Sequence, residues 1–188
     1  MLALDARRLL VAFALLACAF AVLPVASADA RKRGAQCADT ELLPAPGNLG
    51  RVRAAVLCLH NQERAAHGLP ALRENAKLRR AAKGHSGDMV ERTYFDHDTQ
   101  GGPDMAARIL RTGYARNQGW SLGENIAWGT GDLGTAGSIQ QAWMESPGHR
   151  ANILRPQFRE IGIGIAVGAP VPGGDEGATY TTDFGVRR

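Results

Sequence analysis

The stretch Ile161-Gly162-Ile163-Gly164-Ile165-Ala166-Val167 constrains the fold more than any other part of the chain. A large apolar residue at every second position is the period of a β-strand, and a helix does not gather that pattern on one face. On its own it predicts a half-buried strand, isoleucine inward and glycine outward. Tyr180, Thr182, Phe184 and Val186 repeat the period. Between the two runs, Ala169–Gly177 is rich in glycine and proline, which predicts a hairpin with a long exposed loop.

Upstream the period is helical. Asn48 is a candidate N-cap, Val52, Val56, Leu59 and Ala66 trace one face, and Gly68 is a natural stop. Asn75 is a candidate cap for a second helix, in which Leu78, Ala82, His85 and Met89 form one buried stripe. Gly84 and Gly87 weaken that helix by about 1 kcal/mol each against alanine, which points to a close approach of another backbone. Gly102-Pro103-Asp104 predicts a third helix with proline in its first turn, ended by Gly113. Residues 114–134, dense in glycine, read as loop or irregular strand. Thr135–Ser146 reads as a fourth helix with Ile139, Ala142 and Trp143 inward, broken by Pro147-Gly148. Helices first and an antiparallel sheet last make the fold class α+β, with helices packed on the sheet.

The N-terminus carries a different signal. Arg7 and Arg8 precede an 18-residue apolar run, Leu9–Ala26, and Ala26-Ser27-Ala28 follows. This is the charged start, apolar middle and small-residue exit of a secretory signal peptide, with cleavage after Ala28. An uncleaved membrane anchor, for which the run is borderline in length, and lipidation at Cys18 are the alternatives. Residues 1–28 are then the signal, 29–47 an extended leader, and 48–188 one domain of a secreted protein that meets a membrane only through its signal. Of the 188 residues 45% are hydrophobic and 21% charged, the balance of an ordinary globular chain. The excess of 22 basic over 18 acidic residues is mild and scattered, which does not point to nucleic acid. Export leaves Cys37 and Cys58 as an even pair in an oxidising compartment, so a disulfide is expected. It closes a loop of 22 residues, worth about 3.4 kcal/mol by loop-closure entropy.

The candidate chemistry lies in histidine. Gly119-Trp120-Ser121-Leu122-Gly123 fits the G-x-S-x-G pattern, but the buried strand before it and the helix after it are missing, which argues against a serine hydrolase. No H-E-x-x-H or phosphate-binding glycine loop is present. His67 reads as a surface residue in a last helical turn, and His60 and His85 as hydrogen-bonded core residues. His97 and His149 differ: one follows a helix, the other sits at a helix break, and both positions suit the wall of a cleft. Glu124, between Leu122 and Ile126, reads as partly buried and needs a partner. Two imidazoles and a carboxylate can hold Zn²⁺ with an open position, or form a hydrogen-bonded polar cluster; the spacing does not choose.

A set of motifs adds a resemblance. Leu59-His60-Asn61-Gln62-Glu63-Arg64, His85-Ser86-Gly87-Asp88-Met89, Phe95-Asp96-His97, Gly123-Glu124-Asn125-Ile126-Ala127, Trp143–Leu154 with Ser146-Pro147-Gly148-His149-Arg150 at its centre, Ile161–Gly164 and Asp183-Phe184-Gly185 follow one another in order. Together they resemble the CAP superfamily of cysteine-rich secretory proteins, antigen 5 and pathogenesis-related class one proteins (the SCP domain), most closely its bacterial secreted branch. The resemblance runs from about Val52 to Phe184. It implies an α-β-α sandwich with a central antiparallel sheet, and a cleft whose two His and two Glu bind Zn²⁺ or another divalent cation in some members.

Carried over, His97 and His149 are the two histidines and candidate metal ligands, and Glu124 is the first glutamate. The second glutamate's position holds Ser146, with Glu145 one residue earlier and 100° around the helix. The expected function is a secreted, non-enzymatic binding domain, a monomer, for a small-molecule, lipid-like or wall-associated ligand. The alternative is a metal-assisted hydrolase, in which His97 and His149 hold the metal and Glu124 is the general base.

Overall fold

The isoleucine–glycine alternation lies inside the molecule. The structure, a computed structural model, describes residues 36–115 and 119–187. The signal peptide, its cleavage point and Cys18 lie outside the described residues. Five helices and four strands follow in the order α1 (Leu49–Ala66), β1 (Arg73–Glu74), α2 (Ala76–Glu91), α3 (Met105–Arg111), β2 (Trp120–Thr130), α4 (Ala136–Glu145), α5 (Pro147–Ile153), β3 (Glu160–Val167) and β4 (Gly177–Arg187) among the described residues. The strands form one sheet in the order β1-β3-β4-β2. The three long strands are antiparallel, and the two-residue β1 joins β3 in parallel.

β3 is buried on both faces, where the sequence predicts one. Ile161, Ile163 and Ile165, beside Tyr180 and Phe184 of β4, pack on Val52 and Val56 of α1, Ile139 and Trp143 of α4, and Ile153 of α5. Each such side chain contributes about 1.5–3 kcal/mol on burial. The glycine side carries α2. A Cβ on Gly162 would stand 2.1 Å from the carbonyl carbon of Leu78, and one on Gly164 2.2 Å from that of Ala82. The strand lacks side chains there because a helix backbone occupies their space. The close approach anticipated at Gly84 and Gly87 is absent, since nothing lies within 4 Å of a Cβ at either. Leu78, Ala81, Ile109 and Tyr114 form a second core on this side. The result is the three-layer sandwich: α1, α4 and α5, then the sheet, then α2 and α3.

Residues 120–130 form a regular strand, paired with β4 from Trp120↔Arg187 to Thr130↔Gly177, not a loop. Its glycines answer close neighbours. A Cβ on Gly123 would lie 2.9 Å from Asn152 Oδ1 and from the Phe158 ring. Pro147 breaks α4 only to begin α5. Ala142 is exposed, and Gln140 joins Ile139 and Trp143 inside. Asp104, not Pro103, sets the start of α3, its Oδ1 accepting from Ala107 N at 2.7 Å. Asn75 caps α2 as expected, accepting from Lys77 N and Leu78 N. Asn48 stands at the N-cap of α1 but bonds backward, to Ala45 N and Leu43 O, which ties down the proline segment. Cys37 and Cys58 are joined by a disulfide.

Two polar groups of the resembling motifs serve the fold. Arg64 is fully buried and donates to the carbonyl oxygens of Pro70, Ile153, Arg155 and Phe158 at 2.7–3.1 Å, which locks the turn after α5 onto α1. His60 is fully buried between Trp143 and Phe184, and burial pushes its pKa down to about 4.

Candidate functional site

β2 aims Glu124 toward the α2–α3 layer, where its side chain is 1% exposed. Both oxygens are engaged. Oε1 lies 2.8 Å from His97 Nδ1, and Oε2 accepts from Arg108 Nη2 at 2.5 Å. Arg108 comes from α3, is 9% exposed, and donates Nη1 to the His97 carbonyl at 2.7 Å. One guanidinium thus holds both the carboxylate and the backbone of the histidine that meets it. His85, buried on α2, holds the same loop through its Nε2, 2.9 Å from the Asp96 carbonyl.

Asp183 lies across from Glu124 on β4 and is fully buried. Burial, then the charge of Glu124, raise the Asp183 carboxyl well above the ordinary aspartate range, and neither of its oxygens has a hydrogen-bond partner among the described residues. For Glu124 burial acts upward, but His97, Arg108 and Asp183 outweigh it and the carboxyl falls below its usual value. The bond to Glu124 raises His97 against the opposing pull of burial. His149 is lowered, first by burial and then by the charge of His97.

His149 reaches the site through α5. Asn125 Nδ2 donates to the His149 carbonyl at 3.0 Å, and Asn152 Nδ2 donates to Glu124 O at 3.0 Å and Asn125 Oδ1 at 2.9 Å. Trp143 Nε1 donates to Ile126 O at 3.1 Å. The asparagines of the two motifs therefore stitch α5 to β2, and the glycine at 123 leaves room for the stitch.

The sequence-predicted residues divide accordingly. His97 (side chain 53% exposed) and Glu124 are in contact, and half-buried His149 is near enough for His97 to shift its titration. Ser146 is half-buried at the α4–α5 junction. Glu145 is exposed and accepts from Gln141 Nε2 at 2.8 Å, a surface pair. Ser121 lies within β2, with no strand-to-helix elbow around it. Arg108 and the carboxyl of Asp183 are the parts that sequence reasoning misses. Arg108 is one of two arginines on a short helix, and nothing in its spacing marks it. Asp183 carries a signal, a carboxyl on the alternating strand between Thr182 and Phe184, but alternation alone leaves it on an open face.

Among the described residues, no group of three or more His, Cys, Asp or Glu side chains is arranged to hold a metal ion. An open zinc site uses three protein ligands. Here two imidazoles remain, and the carboxylate stands behind His97 with both oxygens taken. These residues do not fit a resident metal.

Comparison with known proteins decides the family. The profile of the cysteine-rich secretory protein family, CAP, matches residues 57–181, most of the described chain. The chain belongs to this family. Two relatives come from Bacillus subtilis: the uncharacterised protein YkwD, 37% identical over 142 residues, and the uncharacterised membrane protein YlbC, 34% identical over 110 residues. The matches cover 74% and 58% of this chain but 49% and 30% of those proteins, so the chain spans half or less of the length of these relatives. Among solved structures, an extracellular SCP-domain protein of Bacillus anthracis is 28% identical with a TM-score of 0.57, over 77% of this chain and 44% of that one. An outer surface protein of Borrelia burgdorferi shares the CAP fold at 18% identity and a TM-score of 0.59, over 78% of this chain and 97% of its own. Among the described residues no helix is long and apolar enough to cross a membrane.

Proposed function

We propose that this CAP domain is exported and works as a binding module, taking a small ligand with an anionic head at His97 and His149 without chemical turnover. One observation carries the reading: Glu124 is buried with both oxygens engaged, so the imidazoles are what the site offers a ligand. A general base needs a free oxygen within reach of a water, and a carboxylate held below its usual pKa is a poor one. His97, raised by Glu124 and half open to solvent, carries a positive charge more readily than an isolated imidazole and suits a carboxylate or phosphate head. Such heads occur on lipid-like and on wall-associated molecules alike. The disulfide agrees with an oxidising compartment, as do the extracellular relative and the apolar run ahead of Ala28.

Imidazole carbon–proton NMR during titration with octanoate and with inorganic phosphate tests the reading. Selective shifts at His97 and His149, abolished in His97→Ala, are expected. Hydrolysis of peptide or ester substrates that disappears in His97→Ala would replace binding with catalysis.

A further inference from the structure

We propose that Arg108 is the built-in cation of this site and keeps divalent metal ions out of it. A metal centre in a partly buried pocket needs negative charge near the ion to offset its own. Glu124 is the carboxylate that meets His97, and its charge is matched by Arg108 at 2.5 Å, within a pair whose side chains are 9% and 1% exposed. A divalent ion on the free edge of His97 would sit close to a guanidinium whose countercharge is already used, with two imidazoles and, among the described residues, no third side chain to hold it.

The structure fixes Arg108 where it acts. Asp104 caps the start of α3 one turn earlier, and Arg108 N donates to Asp104 O at 3.0 Å. The Nη1 bond to the His97 carbonyl ties the guanidinium to the loop. Its Nε is buried with no partner, a desolvation cost that a group kept only for surface charge does not bear. Arg108 is thus a specificity-determining residue: with it the cleft favours anionic and neutral heads, and without it an unmatched buried carboxylate stands behind His97.

Calorimetric titration of Zn²⁺ into metal-stripped protein decides this, with circular dichroism confirming that each variant is folded. The natural chain is expected to bind Zn²⁺ only weakly. Arg108→Ala and Arg108→Gln are expected to bind at least about tenfold more tightly, from removal of one unit charge beside a divalent ion. The gain should vanish when His97→Ala is added. Arg108→Lys keeps the charge and is expected to stay as weak as the natural chain. Micromolar binding by the natural chain, lost in His97→Ala or His149→Ala, overturns the proposal whether or not the variants fold. Folded Ala and Gln variants with no gain overturn it too.

Discussion

Asp183 and Glu124 face each other across β4 and β2, and their titrations are pushed apart, Asp183 well above the ordinary aspartate range and Glu124 below its own. Two like groups in one buried position drive their titrations in opposite directions. The native state therefore holds a proton at Asp183 that the unfolded chain releases above the ordinary aspartate range. The stability contributed by this proton is complete in acid and declines as pH rises from about 4 toward the raised native value. Asp183→Asn is neutral at every pH. Urea unfolding of both chains at about pH 4.5 and pH 7.5 should show the variant gaining relative to the natural protein at the higher pH. An unchanged difference between the two would mean that Asp183 is ionised in the fold.

The histidines should titrate in a fixed order. His97 is raised by its bond to Glu124, His149 lowered by burial and by His97, and His60 pushed by burial to about 4. In imidazole NMR between pH 5 and 8, His97 is expected to have its midpoint above about 6.5 and His149 below it, with His60 silent. The stability linked to His97 is full below the ordinary imidazole value and fades as pH rises through its native value. Glu124→Gln should bring the His97 midpoint down. A His149 midpoint above that of His97 would contradict the arrangement.

Two glycine substitutions separate packing from propensity. Gly162→Ala places a methyl 2.1 Å from backbone of α2, which cannot yield as a flexible side chain does. A loss above about 3 kcal/mol is expected. Gly84→Ala, with nothing within 4 Å, should instead stabilise by about 1 kcal/mol, as alanine does in an exposed helix. Chemical denaturation of both reads the difference, and a loss at Gly84→Ala would reveal a neighbour that the packing lacks.

Arg64→Met removes four charge-assisted bonds to buried carbonyls and should cost more than about 3 kcal/mol. Arg64→Lys should recover little, because an ammonium cannot spread its donors as the guanidinium fork does. Thermal unfolding distinguishes the outcomes, and full recovery with lysine would show that charge alone matters here.

The sequence made some elements legible and hid others for physical reasons. The stripe Leu78-Ala82-His85-Met89 is buried as its spacing predicts, because a helix with one apolar face has one way to pack. β3 is read correctly as a strand and wrongly as half-buried, since glycine looks the same whether it faces water or a helix backbone. β2 is hidden because glycine density resembles a loop until Asn152 and Phe158 are seen to fill the space above Gly123. In the site, His97 and Glu124 are found through motif and setting. Arg108 is not, because its role depends on a loop path that brings residue 97 over α3, and no local period encodes that path.

The caps on β2 reach further than the site. β2 is the outer strand of the sheet, and an outer strand with bare carbonyls is a template for another chain. Here Asn152 of α5 and Trp143 of α4 take the carbonyls of residues 124 and 126, so the bond that sets α5 beside Glu124 also helps to quench the edge. Placing α5 beside the cleft and guarding against self-association therefore both fall on Asn152. A variant that loses Asn152 loosens α5, which carries His149, and opens a seam for aggregation in a single step.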